Sequence, residues 1–447
     1  MFDDPNLVSA AGLVPVLRLA QTAGLHELLG EQLSVVSPNS AVKAVGVIAG
    51  MLTGADTIAA LDVLRHGGMS RLFTGVRAPS TYGSFLRSFT FGHVRQLDAI
   101  NSRLLAGLNR LVPGLLPTNR TELALVDLDD TVCPVHGYAK QGARYGRHKG
   151  VKGLNLALAT ISASGRSPVI AAARLRAGNA TSAKGAAGLV TDAIRAARAA
   201  GVHGRVLVRA DGGYYASSLA HAATDAGAWF SLTVKLGPSI RRAIAGIDAD
   251  AWTTISYPKA IFDEHQQRWI SDAEVAETNF IAFTRKPINC RLIVRRVRRL
   301  NPAPGTDGTS QDPLFDTWRY HGFITNTDLD PIKADTLHRD HAIIEQVHAE
   351  LKNAALTHMP CGKYAANAAW TALAIIAFNL ARAANTAAGW AHTRWATLRR
   401  RLINIPARIA TSGRQTRLHL PQQWPWATAY NQLWLATRPP PTTATNN

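Results

Sequence analysis

Two apolar runs that each close on an aspartate constrain this chain most. The first is Leu123-Ala124-Leu125-Val126-Asp127-Leu128-Asp129. The second is Val206-Leu207-Val208-Arg209-Ala210-Asp211, followed at once by Gly212-Gly213. Both read as buried strands, and a carboxylate ending a buried strand costs desolvation unless something cationic compensates it. In open α/β sheets ligands bind beyond the carboxyl ends of strands, where Asp129 and Asp211 would lie. Strand periodicity puts Asp127 and Asp129 on one face and Asp130 on the other, so spacing alone permits either Asp127 or Asp129. Gly212 and Gly213 permit a sharp turn and a close backbone approach. The plain alternatives are a turn residue at Asp129 or Asp130 and a helix N-cap at Asp211.

A third carboxylate, Glu345, falls in a stretch that reads as one helix from His338 to Lys352. There His338, His341, Glu345, His348 and Lys352 are spaced three, four, three and four, which makes one polar stripe beside apolar Ile344, Val347 and Leu351. A solvent-facing stripe is the bland reading. The sharper one is a metal-bound, phosphate-facing helix, with Glu345 on the cation and Lys352 and the histidines on phosphate. A zinc site from His338, His341 and Glu345 is a further alternative.

Charge points to the partner. The 447 residues carry 49 Lys plus Arg against 30 Asp plus Glu, a formal net charge of +19. That balance favours a polyanion, with a merely basic protein as the alternative. No acid occurs from Thr131 to Thr191, where Lys140, Arg144, Arg147, Lys149, Lys152, Arg166, Arg174, Arg176 and Lys184 accumulate, and none occurs after Glu350. Such acid-free positive stretches suit phosphate contacts. The 3 cysteines include no CxxC pair, which argues against structural zinc and a disulfide framework and suits a reducing cytosol. The N-terminus lacks the basic flank and apolar core of a signal peptide. The apolar stretch Ala368 to Ala377 is short for a bilayer span and reads as a buried helix, so no membrane partner is expected.

The length implies about two to three domains. Residues 1–118 show helical spacing broken by Gly24 and Gly30, then Val42 to Leu52, Ala55 to Arg65 and Val94 to Leu111. This suits a helical DNA-binding domain of helix-turn-helix type or a plain helical cap. From residue 119 the pattern predicts strands Leu123–Asp130, Asn155–Ser162 and Ser167–Arg174, helix Ala183–Ala200, strand Arg205–Ala210, helix Ser217–Ala226 and strand Trp229–Val234. That β-β-β-α-β-α-β order indicates an α/β sheet. Residues 237–315 read as an inserted β-rich subdomain with strands Phe280–Thr284 and Cys290–Val297. Residues 316–385 supply a last strand, Trp318–Thr325, and the Glu345 helix. Residues 386–447 form a basic C-terminal region whose Pro/Thr-rich tail is expected to be disordered.

Three segments together carry a resemblance: Asp129-Asp130-Thr131, Arg209-Ala210-Asp211-Gly212-Gly213-Tyr214, and Ile344-Glu345-Gln346-Val347-His348-Ala349-Glu350-Leu351-Lys352. They resemble the catalytic blocks of bacterial DDE transposases, in the cut-and-paste insertion-sequence subgroup with a Tyr-Arg-Glu-Lys helix. Six residues separate Glu345 from Lys352, as in that family. Pro134-Val135-His136-Gly137, Leu175-Arg176-Ala177-Gly178-Asn179 and Ala78-Pro79-Ser80-Thr81 are similar too, so the likeness runs over about residues 5–400. His338 and His341 stand where the family has Tyr and Arg.

The resemblance implies an α/β fold: a ribonuclease-H-like core (119–236 and 316–385) with the inserted β-rich subdomain, preceded by the helical DNA-binding domain. It selects Asp129 over Asp127 and implies that Asp129, Asp211 and Glu345 are catalytic and hold two Mg²⁺ or Mn²⁺ ions. It implies cleavage at terminal inverted repeats, joining of the freed 3′-OH to target DNA, and a homodimer bridging two ends in the cytoplasm of a bacterium, at the nucleoid. Lys352, His338, His341, Arg144, Arg147 and Lys149, with Lys140, would meet phosphates, unless the loop after Asp129 is simply a solvated basic loop. Trp252 or Trp269 would stack on an unpaired base or lie in the subdomain core. The rival readings are a metal-dependent nuclease that cuts without joining and a transposase-derived DNA-binding protein without chemistry.

Overall fold

The computed structural model describes residues 1–137, 139–146, 150–256, 262–263, 268–269, 273–298, 318–413 and 415–438, with backbone alone at 262–263 and 268–269. The first strands are β1 (Leu7–Val8), β2 (Ala124–Pro134), β3 (Arg144–Tyr145), β4 (Lys152–Ala163) and β5 (Arg166–Ala177). Then come β6 (Val206–Ala210), β7 (Trp229–Thr233), β8 (Thr253–Ile255), β9 (Phe262–Asp263), β10 (Arg268–Trp269), β11 (Ala273–Ala282), β12 (Ile288–Arg298) and β13 (Trp318–Thr325). The last are β14 (Ala407–Ser412) and β15 (Gln415–His419). The architecture is mixed α/β. Two compact units emerge: unit 1 comprises Met1–Thr181, Thr191–Arg205 and Ile343–Asn447, and unit 2 comprises Ser182–Val190 and Val206–Ala342.

In unit 1, β4 pairs antiparallel with β2 along one edge and with β5, then β3, along the other. β4 is buried from Gly153 to Ala163, because both faces are covered, so its sequence is continuously apolar rather than alternating. The β4–β5 turn holds Gly165 at φ 72°, a left-handed conformation that favours glycine. The helix Tyr364–Ala387 is buried at every residue from 366 to 385. Its Ala-rich sequence favours helix, and apolar character all round demands burial. By length and composition it could cross a membrane. Here it is the core of unit 1, and its polar side chains are bonded internally. Asn379 accepts the Ile170 N–H at 2.8 Å and donates to the Ile170 carbonyl at 2.8 Å and to Asn101 at 2.9 Å. These bonds serve backbone groups of β5 beside its register shift against β4. Asn379→Leu is therefore expected to orphan the Ile170 N–H and cost about 1–3 kcal/mol, read by denaturant unfolding.

The N-terminal helices Leu13–Thr22, Leu25–Gln32, Ser40–Thr53, Pro79–Arg87 and Phe91–Leu111 belong to the same unit. Gly24 (φ 94°) breaks the first pair as its sequence suggests, whereas Gly30 continues inside the second helix. The stretch expected as helix at Ala55–Arg65 forms a 3₁₀ turn from Ala59 to Arg65. Phe91–Leu111 opens with a Thr90/His93 capping box. Its Asp98 meets Arg95 at 3.0 Å and Arg174 of β5 at 3.1 Å, and burial pushes its carboxyl up to about 6.

Unit 2 carries a mixed sheet in the order β6-β7-β13-β12-β11-β8, in which β6 and β7 are parallel and the other neighbours antiparallel. β11 and β12 are longer than the expected Phe280–Thr284 and Cys290–Val297, and they share one sheet with β7 and β13. Ile255, Ala273, Val275, Ile293, Phe323 and Ala334 form an apolar cluster between this sheet and the helix Pro331–Arg339. Ion pairs link β11 to β12, Glu274 to Arg296 in register and Glu277 to Arg291 on the diagonal.

Candidate active site

Asp129 and Glu345 belong to unit 1. β2 runs on to Pro134, so Asp129 lies in mid-strand opposite Leu158, not at the strand end expected from the apolar run. The reason is local: Thr131-Val132-Cys133 continues the ladder against Leu154–Leu156. Asp127 is fully buried, while the Asp129 side chain keeps 24% exposure, so Asp129 is the more open of the two. One Asp129 oxygen accepts the Asp130 N–H at 2.7 Å and the other lies 3.4 Å from His348 Nε2. Asp130, of opposite strand parity, pairs with Arg176 at 3.3 Å. Asn155 donates to Asp130, and Arg176 holds the Asn155 oxygen at 2.8 and 2.6 Å.

The helix Ile343–Lys352 packs on β2. It buries Ile344, Val347, His348, Glu350 and Leu351, leaves Glu345 exposed and half-buries Lys352. Glu345 stands one turn before His348, on the side that reaches Asp129. Lys352, one turn after His348, lies near Cys133 of β2. Burial pushes the Cys133 thiol up to about 11 against the opposing pull of the Lys352 ammonium. Behind the helix, Glu350 takes Arg382 at 2.7 Å and the Trp395 N–H at 2.8 Å. Sequence reasoning missed His348 as the neighbour of Asp129, although its three-residue spacing from Glu345 was the signal. It also missed the Glu350–Arg382 anchor, whose partners lie 32 residues apart.

Asp211 belongs to unit 2. It follows β6 directly, as expected, and one of its oxygens caps the 3₁₀ turn Gly212–Tyr214 by accepting the Gly213 N–H at 2.9 Å. A Cβ on Gly213 would meet Ser182 Oγ at 2.9 Å, so glycine there permits a close approach. The side chain of Arg209, buried in β6, donates to the Leu337 carbonyl and ties the helix Pro331–Arg339 to the sheet.

The predicted stripe from His338 to Lys352 is not one continuous α-helix. The α-helix stops at Arg339, a 3₁₀ turn takes Asp340–Ala342, and α-helix resumes at Ile343. A 3₁₀ turn advances about 120° per residue against about 100° in an α-helix, so the single pitch that the spacing assumes does not hold across it. His338 turns inward within unit 2. Its ring bonds Ser231 Oγ at 2.7 Å and Thr233 Oγ1 at 2.9 Å and stacks on Phe323 at 4.1 Å. Burial, with His341, Arg209 and Arg295 nearby, pushes it down to about 3. A neutral ring with both nitrogens engaged does not fit the expected cationic phosphate contact. The unfolded chain binds this proton near its ordinary pKa and the folded chain only far below. His338 therefore adds stability above about pH 6.5 that is lost as pH falls toward 3. His338→Asn is expected to flatten the fall in unfolding free energy between pH 6.5 and 4.5, measured by urea titration. His341 sits half-buried in the 3₁₀ turn.

Among the other expected contacts, Arg144 is exposed on β3, with its guanidinium on the Ala143 carbonyl at 3.0 Å. Lys140 donates to the Met359 carbonyl, and its partial burial lowers its pKa. Arg147, Lys149 and the side chain of Trp269 lie outside the described residues. Trp252 has a guanidinium over one face of its ring. Arg296 lies 4.1 Å over it and 4.4 Å over Trp318, and Tyr320 packs beside it at 6.2 Å.

Asp129, Asp211 and Glu345 are all oxygen donors, the chemistry that hard divalent cations such as Mg²⁺ and Mn²⁺ take. Zinc through His338, His341 and Glu345 does not fit, because Ser231 and Thr233 already occupy the His338 ring. Within neither unit, among the described residues, do three His, Cys, Asp or Glu side chains gather as a metal cluster.

No curated protein matches the chain. Among solved structures, a piggyBac transposase synaptic complex with hairpin DNA is similar at a TM-score of 0.42 and 10% identity. That match covers 86% of this chain and 76% of the other. A family model described as transposase DDE domain group 1 matches residues 1–439. With Asp129, Asp211 and Glu345 placed on β2, behind β6 and on the helix packed against β2, the chain belongs to the DDE-domain transposases, group 1.

Proposed function

We propose that this transposase binds the terminal inverted repeats of a bacterial insertion sequence, cleaves phosphodiester bonds at the element ends and joins the freed 3′-OH ends to target DNA. The observation that carries the reading is the Asp129–His348 contact. It brings the half-buried carboxylate of β2 against the helix that presents Glu345. Asp129, Asp211 and Glu345 would hold two Mg²⁺ or Mn²⁺ ions. When bound, such ions lower the pKa of an attacking water and stabilise a leaving oxygen. The chain supplies the positioning. The Asp130 N–H and His348 orient Asp129, and the Gly213 N–H orients Asp211. Lys352 on the same helix face would neutralise a phosphate near Glu345, with Arg144 further along the strand layer.

A ribonuclease-H-like core built from 119–236 and 316–385 would carry this chemistry. The β-rich segment 237–315 would be its insertion, and the helices of 1–118 would bind the repeats. Two copies would pair two ends in a synaptic homodimer. A strand-transfer assay tests the reading. Labelled end DNA incubated with a supercoiled target and Mg²⁺ is expected to yield labelled, target-linked product. Cleaved ends without joined product would instead favour a nuclease, and binding without cleavage would favour a DNA-binding derivative.

A further inference from the structure

We infer that the β14–β15 hairpin is a DNA-contacting arm of unit 1, distinct from the carboxylate site, that reads the duplex through its phosphates. The inference rests on the chain acting on DNA. β1 pairs with β14 at Leu7↔Arg408 and Val8↔Ala407, and the Ile409 N–H bonds the Asn6 carbonyl at 2.9 Å. Beyond that base, β14 has β15 as its neighbour, through the pairs Ile409↔Leu418, Ala410↔Arg417, Thr411↔Thr416 and Ser412↔Gln415. The outer part of the hairpin is thus a two-stranded ribbon, a form that the major groove of duplex DNA admits.

Pairing and burial separate its two faces. Ile409 is buried, with half-buried Leu418 opposite it, and these face the unit. Arg408, Ser412, Gln415, Arg417 and His419 share the other face and are all exposed. That face is cationic and rich in hydrogen-bond donors. No Asp or Glu occurs anywhere after Glu350 to cancel its field. A nearby acid is Asp4, which reaches Arg408 at 3.1 Å and so compensates that one guanidinium. Arg71, also exposed, donates at 3.1 Å to Thr411, which shares the Ile409 face. An exposed strand edge normally invites pairing with another chain, and charged side chains guard against it. Here Arg417 shares a face with polar Ser412, Gln415 and His419, which suits a phosphodiester backbone better than a second strand.

The test uses the full-length protein, fluorescence anisotropy and a salt series on two duplexes, one carrying an element end and one of unrelated sequence. Arg417→Glu is expected to weaken binding to both on the order of tenfold and to lower the slope of log affinity against log salt by about 1. Arg417→Lys should keep the wild-type slope. Wild-type affinity and slope in Arg417→Glu would overturn the arm while leaving the proposed function standing. A wild-type protein that binds neither duplex would overturn both. Loss of self-association in Arg417→Glu with DNA affinity intact would assign the hairpin to a second copy of the chain instead.

Discussion

Exchanging Asp129 for Asn, Asp211 for Asn or Glu345 for Gln is expected to reduce Mg²⁺-dependent cleavage of end DNA by about a thousandfold or more, with DNA binding retained. A divalent ion in such a site stabilises developing charge by several kcal/mol, and each ~1.4 kcal/mol lost is a factor of ten in rate. The three substitutions are nearly isosteric. Glu345 and Asp211 are exposed and Asp129 is half-buried, so none of the three sits in a core. Each variant would be assayed for single-turnover cleavage and for binding by anisotropy. Substantial cleavage by Glu345→Gln would remove the helix from the chemistry. Loss of binding in parallel with loss of cleavage would point to misfolding instead.

The second large effect lies behind the site. Glu350 and Arg382 form a buried pair at 2.7 Å, and Glu350 also takes the Trp395 N–H. Burial lowers the Arg382 pKa while Glu350 opposes the shift, so the guanidinium depends on its partner. Glu350→Gln is expected to cost about 3–5 kcal/mol of stability, because it strands a buried charge. The double change Glu350→Gln with Arg382→Met should recover part of that loss, since no uncompensated charge remains. Denaturant titration of the two variants reads both values. A cost below about 1 kcal/mol for the single variant would mean that solvent reaches the pair. Because Glu350 shares its helix with Glu345, the same variant should also slow cleavage by loosening the helix on β2.

The sequence exposes this fold unevenly, for physical reasons. The strands around Leu125, Leu158 and Val208 are legible because both their faces are covered, so apolar residues run without alternation. The core helix around Phe378 shows only as the stretch 368–377, because Asn367, Asn379 and Arg382 interrupt its hydropathy. Their partners, Cys361, Ile170 and Glu350, are brought close only by folding. β11 and β12 exceed their apolar segments because Glu274 and Arg296 satisfy each other across the ladder.

At the site, Asp211 sits at its strand end as the apolar run suggests. Asp129 does not, since nothing in Val126–Asp129 signals that β2 continues to Pro134. The stripe from His338 to Lys352 fails for a subtler reason. Residue spacing assumes one helical pitch, and the 3₁₀ turn at Asp340–Ala342 changes that pitch. His338 then becomes a buried neutral ring, and His348 is left as the histidine that meets Asp129.

The most direct measurement is single-turnover nicking of an end-bearing duplex by the wild-type protein and by Asp129→Asn, at matched DNA occupancy, with Mg²⁺ or with EDTA. The account predicts a nick at the element end only for wild type with Mg²⁺. Nicking by Asp129→Asn at the wild-type rate, or by wild type in EDTA, would contradict it.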